Sequence, residues 1–373
     1  MKRRRFIQKA AGAGLAIGTG LPSLCADLSA FADTSNLSRI EARYYQKLPD
    51  REIECQLCPR VCRLGDKERG YCGVRENQGG TYYTLVYGKA CSLNIDPIEK
   101  KPFFHFLPGT NALSLATAGC NVNCKFCQNW EISQVRPEQV YHFDLPPEAG
   151  AQEAANRRCP TIAYTYTEPV VFYEYMYDMS RAARGRGIRN AVVTAGHIQP
   201  KPLEDLIKVV DAIKVDLKGF TQAFYKNYVR GELETVLEAI ELIARSNVWL
   251  EIVYLVIPTL NDNPDDIRRM SRWVVNRAGP GIPLHFSRFH PQYLIKNLPP
   301  TPISTLEKSR EIALAEGIRY AYVGNVPGHP AENTVCPKCG KTLIERRGYA
   351  VRSNAIKGGK CRFCEAPIPG VWT

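Results

Sequence analysis

From about residue 112 onward, short apolar runs alternate with longer runs in which apolar residues recur at helical spacing. The short runs predict β-strands and the longer runs predict amphipathic helices, four of which have a proline near their start. Such alternation is typical of parallel strands joined by right-handed helical crossovers. The predicted strands are 112–118, 161–166, 190–194, 211–216, 248–257, 283–289 and 318–323, and the predicted helices are 147–158, 169–186, 202–210, 232–246, 264–277 and 302–316.

Six or seven strand–helix units predict an α/β fold, specifically a partial, open (β/α) barrel rather than a closed eight-unit barrel. The 373 residues, with 45% hydrophobic and 23% charged composition, suit one large globular domain with small attachments. In barrels of this kind the functional side chains lie on the loops after the carboxyl ends of the strands. We therefore expect the site on those loops.

The loop after the first predicted strand carries Cys120, Cys124 and Cys127, a C-x3-C-x2-C spacing. Three thiolates can hold three irons of a [4Fe–4S] cluster and leave the fourth iron without a protein ligand. Zinc sites normally use four ligands in two paired knuckles, so zinc fits this trio poorly. An open iron can bind a small chelating molecule and pass it one electron.

With Phe126 before its last cysteine, this loop resembles the cluster loop of radical S-adenosylmethionine (SAM) enzymes. Residues 96–102 before it and 128–130 after it are similar to the radical SAM enzyme of the AmmeMemoRadiSam system, a relative of the pyruvate formate-lyase (glycyl-radical enzyme) activating enzymes. The resemblance covers roughly residues 50–345. It implies a (β/α)6-type radical SAM barrel, a [4Fe–4S] cluster, SAM and a reducing electron donor that is flavodoxin- or ferredoxin-like.

The activity that the resemblance implies is that of a radical SAM oxidoreductase. The reduced cluster would cleave SAM to methionine and a 5′-deoxyadenosyl radical, which abstracts hydrogen from a protein or small-molecule substrate, as in the activating enzymes. The alternative is a non-enzymatic iron–sulfur and zinc protein that carries electrons or serves as a binding module.

The resemblance also implies which side chains contact SAM. Glu168 stands where the activating enzymes have Gly-Gly-Glu-Pro, which meets the amino end of SAM, although a helix cap is an alternative role. Asp216 and Lys218 resemble an Asp-x-Lys pair that positions SAM, and a structural ion pair is the alternative. The implied SAM-binding residues are Phe126, Thr167, Glu168, Thr194, Asp216, Lys218 and His290.

Two further cysteine groups predict additional metal centres. The first spans residues 55–72 and offers a complete ligand set for either zinc or an iron–sulfur centre, and the spacing leaves both open. The second consists of two C-x2-C knuckles and predicts a zinc-ribbon-like module. Their members are Cys55, Cys58, Cys62 and Cys72 in the first group, and Cys336, Cys339, Cys361 and Cys364 in the second.

Residues 1–32 predict a twin-arginine signal segment, with the arginine pattern at residues 3–8, a weakly apolar stretch at 10–21 and small residues at 30–32. The apolar stretch is too short and too rich in glycine for a transmembrane helix. The segment predicts export to the periplasm, and a cytoplasmic location is the alternative.

The net charge falls from +12 to +8 without the signal segment, since residues 1–32 contain five Lys or Arg and one Asp, giving (49 − 5) − (37 − 1). No basic stripe is concentrated along the sequence, so the charge gives no strong evidence for a nucleic-acid partner. The predicted domains are the signal segment 1–32, a Cys-rich N-terminal module 33–110, the radical SAM barrel 111–330 and a zinc-ribbon-like module 331–373.

Overall fold

An eight-stranded sheet forms the centre of the protein in the computed structural model, which describes residues 36–373. The predicted signal segment therefore lies outside the described residues. The strands of this sheet are numbered in chain order as β1 (Ser92–Pro97), β2 (Asn111–Ala116), β3 (Thr161–Tyr164), β4 (Arg189–Thr194), β5 (Ala212–Asp216), β6 (Trp249–Val256), β7 (Leu284–Arg288) and β8 (Ala321–Gly324).

The strands follow one another in space in the order β8-β7-β6-β5-β4-β3-β2-β1. Strands β2 to β8 are parallel, and β1 pairs antiparallel with β2. Within the described residues β1 and β8 are the two unpaired edges, so the sheet is open. This confirms the predicted α/β fold with a partial, open barrel, with the unpredicted strand β1 added at one edge.

Helices connect the parallel strands near the positions that the sequence predicts. Proline occupies the first turn of α2, α4 and α7, where its missing N–H breaks no helical hydrogen bond. None of the helices in residues 36–373 has the length and apolar character that crossing a membrane requires. The helices are α1 (Trp130–Ser133), α2 (Pro147–Asn156), α3 (Tyr173–Arg184), α4 (Pro200–Leu206), α5 (Gln222–Phe224) with a following π-helical turn (Tyr225–Val229), α6 (Leu233–Ala244), α7 (Pro264–Arg277) and α8 (Ile303–Ala315).

The parallel strands are buried almost throughout, as expected for a sheet with helices on its outer face. Several polar residues, including Thr194, Asp216 and Ser287, lie at or near the carboxyl ends of these strands. Since all parallel strands end at the same edge, the loops after β2, β3, β4 and β5 meet there.

The N-terminal module is built from short antiparallel strands and packs on the central domain through a buried ion pair. Arg75, only 1% exposed, donates to the Glu174 carboxylate of α3 at 3.1 Å and to the Val171 carbonyl at 3.1 Å. The pairing fixes this module against α3. Its strands are Ile40–Glu41, Tyr45–Lys47, Ile53–Cys55, Arg63–Leu64, Arg75–Gln78, Thr81–Thr84 and Lys89–Ala90, the last of which pairs with Phe143–Asp144.

The C-terminal module packs on the sheet edge near β7 and β8. Arg346 is buried, lies 4.1 Å from the centre of the Phe104 ring and donates to the Phe104 carbonyl at 2.8 Å. A hairpin turn at Gly348 then carries Tyr349 outward. The strands of this module are Thr334–Val335, Thr342–Arg347, Ala350–Asn354, Ile356–Lys357 and Lys360–Cys361.

Candidate active site and metal centres

The three-cysteine loop begins directly after β2 and is held on two sides. The Asn123 and Lys125 N–H groups donate to the carbonyls of Val229 and Tyr228 in the π-helical turn, at 3.0 and 2.8 Å. The Asn121 side chain donates to the His197 carbonyl at 2.7 Å. These contacts fix the loop backbone at the carboxyl edge of the sheet, where the sequence predicts it.

A cavity of about 440 Å³ lies beside this loop. It receives residues from strands β2 to β8 or from the loops that follow them, and the C-terminal hairpin places Tyr349 on its rim. Predicted cluster and SAM residues that line it are Cys120, Cys124, Phe126, Cys127, Thr167, Glu168, Thr194, Asp216 and Lys218.

His290 is the predicted SAM residue that does not line this cavity. Its neighbour Phe289 is 1% exposed, with its N–H donating to Thr301 at 2.9 Å. Because Phe289 points into the core, the chain leaves His290 exposed. Ser287, two residues earlier on β7, lines the cavity instead.

Glu168 is both a helix cap and a wall of the cavity. Its carboxylate accepts hydrogen bonds from the Val170 N–H at 3.2 Å, the Thr194 hydroxyl at 2.6 Å and the Ala195 N–H at 2.7 Å. Burial raises the pKa of Glu168, although these hydrogen bonds act in the opposite direction. Glu168 therefore caps the helical turn that follows it and also lines the cavity, so both predicted positions apply to the same side chain.

Asp216 is flanked by two lysines at the end of β5. Lys218 Nζ lies 2.7 Å from the carboxylate, and the buried Lys214 donates to its other oxygen. Burial alone would raise the pKa of Asp216, but the charges of Lys214 and Lys218 outweigh it and lower that pKa to about 2. Lys214 was missed in the sequence, although strand alternation places residues 214 and 216 on one face.

Tyr166 occupies the position where the resembling enzymes have glycine, and its backbone is left-handed, with φ of 64°. Its hydroxyl donates to Asp96 on β1, and Lys101 Nζ lies 4.1 Å from the ring centre. Lys101 also pairs with Asp96 at 2.5 Å. Burial lowers the pKa of Lys101 to about 8 despite this pairing. The sequence singled out residues 96–102 as a motif but assigned them no place at the cavity.

The four C-terminal cysteines converge on one point. Their sulfurs all lie within 4.8 Å of one another, with Cys336 and Cys364 Sγ atoms 3.6 Å apart and those of Cys339 and Cys361 3.8 Å apart. Four ligands 2.3 Å from one tetrahedral ion would be separated by about 3.8 Å. This group can therefore hold a single metal ion.

The N-terminal cysteines Cys55, Cys58, Cys62 and Cys72 also come together, but around a small cavity of about 20 Å³. Among the residues that the structure describes, only the C-terminal group brings three or more ligand atoms within 4.8 Å. The sulfurs of the N-terminal group and of the three-cysteine loop are therefore more widely spaced. Their donor sets fit a centre with several metal atoms better than a single ion.

The profile of the Radical SAM superfamily matches residues 114–273. An uncharacterized protein of Methanocaldococcus jannaschii is 47% identical over 330 residues, which covers 88% of this chain and 98% of that protein. The chain belongs to the radical SAM superfamily. The matched region contains the three-cysteine loop and the ends of strands β2 to β6 that face the cavity of this radical SAM protein.

More distant relatives include activating enzymes. The pyruvate formate-lyase 1-activating enzyme of Escherichia coli is 24% identical over 159 residues, covering 42% of this chain and 65% of that enzyme. The pyruvate formate-lyase-activating enzyme of Clostridium pasteurianum is 24% identical over 168 residues. Among solved structures, a radical SAM methyltransferase from Sphaerobacter thermophilus aligns with a TM-score of 0.47 and 17% identity, over 58% of this chain and 67% of that chain.

Proposed function

We propose that this radical SAM protein is an enzyme that cleaves SAM reductively and uses the product to abstract hydrogen from a substrate, in the manner of the activating enzymes. The observation that carries the proposal is the cavity in which Cys120, Cys124 and Cys127 face Asp216 and Lys218. The same cavity therefore contains thiols that suit iron and charged side chains that suit the amino acid part of SAM.

The three loop cysteines would hold a [4Fe–4S] cluster, since their spacing and donor chemistry fit three of its four irons. When bound, the cluster supplies one electron to SAM, whose sulfonium bond breaks to give methionine and a 5′-deoxyadenosyl radical. The donor of that electron would be a flavodoxin- or ferredoxin-like protein.

The chain's own groups would bind and orient SAM. Lys218 would donate to the carboxylate, and the Thr167 carbonyl or Glu168 would accept from the ammonium group. Glu168 already accepts three hydrogen bonds, so we assign the ammonium mainly to backbone acceptors beside Thr167. Phe126, whose ring centre lies 6.0 Å from that of Phe224, would exclude water from this side of the cavity.

The substrate class that we propose is a protein backbone, as for the activating enzymes. Its support is the relationship to those enzymes, since the cavity itself is compatible with smaller substrates. An anaerobic incubation with a candidate partner protein that carries α-deuterated glycine, followed by mass analysis of the 5′-deoxyadenosine, would detect deuterium transferred from the backbone of that partner.

We also propose that the C-terminal group holds zinc. The sulfur separations of 3.6 and 3.8 Å match those expected around one zinc ion. Zinc binding would supply folding free energy that so short a segment cannot obtain from its core.

The decisive experiment is anaerobic reconstitution with iron and sulfide, followed by dithionite and SAM. Formation of 5′-deoxyadenosine, and its loss in Cys124→Ala, is expected. Cys91→Ala is the matched control because Cys91 lies outside all three cysteine groups. An intact cluster without SAM cleavage would refute the enzyme and favour a non-enzymatic electron carrier.

A further inference from the structure

The N-terminal cysteines line a small cavity that borders the three-cysteine loop. We propose that Cys55, Cys58, Cys62 and Cys72 hold an iron–sulfur cluster closed by four thiolates, and that this cluster relays electrons to the loop at Cys120. The relay rests on the proposed function, whereas the cluster itself does not.

The first argument is the spacing of the four cysteines. They line one cavity of about 20 Å³, which has room for a water-sized sphere. Four sulfurs at about 2.3 Å from one zinc ion leave no such room. Two sulfur pairs of the C-terminal group lie 3.6 and 3.8 Å apart. No three sulfurs of the N-terminal group lie within 4.8 Å of one another, so the described part of the chain contains both a narrow site and a wide one. The wide site fits a core of several irons and sulfides, in which each thiolate binds a different iron.

The second argument is the surroundings of this site. The cavity is also lined by Arg75, whose buried guanidinium is ion-paired with Glu174. The Tyr71 N–H donates to Cys62 Sγ at 3.5 Å. An N–H···S hydrogen bond of this kind stabilises a thiolate ligand and influences the reduction potential of the cluster that it binds. Cys55 and Cys58 are 5% and 8% exposed, whereas Cys62 and Cys72 are partly exposed.

The third argument is contact with the catalytic loop. Asn121, the neighbour of Cys120, lines the same small cavity, and Arg60 Nε donates to the Asn121 carbonyl at 3.0 Å. Gly119, on the other side of Cys120, approaches the Cys72 carbonyl so closely that an added Cβ would lie only 2.7 Å from that oxygen. The backbone on both sides of Cys120 therefore packs directly against the N-terminal group. Electron transfer between centres is fastest across such short distances.

The proposed step moves one electron and no atoms. A low-potential one-electron donor reduces the N-terminal cluster, which then returns to its oxidised state by reducing the centre at the loop. No bond is formed or broken at the N-terminal cysteines, and no proton is transferred. All four irons there would have protein ligands, so SAM would bind only at the loop.

The cluster assignment is tested by metal analysis of the anaerobically purified full chain and of Cys120→Ala/Cys124→Ala/Cys127→Ala. We expect about eight irons and eight sulfides in the wild type and about four of each in the triple variant. Because the triple variant leaves the N-terminal group intact, its result does not depend on the folding of an N-terminal mutant. Zinc without iron in the triple variant would overturn the assignment.

The relay is tested with Cys55→Ala/Cys58→Ala, with Cys91→Ala as the matched control. We expect at least about a tenfold slower SAM cleavage with reduced flavodoxin, and a rate near that of wild type with dithionite, which is small enough to reach the loop centre directly. Equal rates with flavodoxin would overturn the relay. A wild type with both clusters but no SAM cleavage would refute the proposed function and the relay while supporting the second cluster.

Discussion

Replacing Lys218 by methionine removes a charge from the cavity beside the three-cysteine loop while nearly preserving side-chain volume. The Lys218 backbone should stay in place, since its carbonyl accepts from Asn261 at 2.8 Å and its N–H donates to the Tyr225 hydroxyl at 3.1 Å. Asp216 keeps Lys214 as a partner, so the carboxylate is not left uncompensated. The perturbation is therefore confined to the ammonium group that we assign to the SAM carboxylate.

The expected magnitude follows from the lost interaction. Lys218 Nζ carries three N–H donors and uses one of them on Asp216 at 2.7 Å. A hydrogen bond to a charged group is worth about 1.5–3 kcal/mol. At about 1.4 kcal/mol per factor of ten, Lys218→Met should weaken SAM binding by about 10- to 150-fold.

The assay is 5′-deoxyadenosine formation as a function of SAM concentration, with iron content measured on the same samples. KM should rise while the iron content stays at the wild-type value. Lys226→Met is the matched control, because Lys226 is an exposed lysine of the adjoining π-helical turn. An unchanged KM for Lys218→Met at full iron content would refute the assigned role of Lys218.

Three further predictions concern stability and metal content. Arg75→Met leaves Glu174 as a buried carboxylate without its main partner, so it should lower the unfolding free energy by about 3–5 kcal/mol in anaerobic denaturant titrations. A loss below about 1 kcal/mol would contradict the pairing. Burial lowers the pKa of His105 from 6.5 to about 4. As the pH falls, the imidazole is therefore protonated in the unfolded chain before it is protonated in the folded protein, so stability should fall between pH 6.5 and pH 4. His105→Gln should reduce that loss of stability by up to about 3 kcal/mol. Cys336→Ser should release zinc and make residues 331–373 sensitive to limited proteolysis, with iron unchanged, and retention of zinc would disprove the assignment.

The regular part of the fold could be predicted because parallel strands and their helices leave a local signal. Each of strands β2 to β8 overlaps a predicted run, and α7 has the predicted bounds 264–277. Strand β1 was missed because it is a sheet edge with exposed residues in its middle, such as Asn94 and Ile95. Its pairing with β2 is a long-range contact that carries no periodic signature.

The cavity was predicted less completely, because some of its residues meet through long-range contacts that leave no local signal in the sequence. Residues that follow strand ends, such as Thr194 and Lys218, were found from topology. Tyr166 and Asp96 meet across 70 positions of sequence, so only the folded chain brings them together. His290 was placed by resemblance, but the burial of Phe289 turns the chain so that His290 faces solvent.

The hairpin that carries Tyr349 gives the entrance of the cavity a different origin from its floor. The floor belongs to the sheet and its three-cysteine loop, whereas Tyr349 on the rim belongs to a small module with its own group of four cysteines. Exchanging that module between homologues would therefore alter which molecules enter the cavity. The iron content would stay unchanged. Substrate choice could diverge in evolution through the tail of the chain without any change in the radical chemistry.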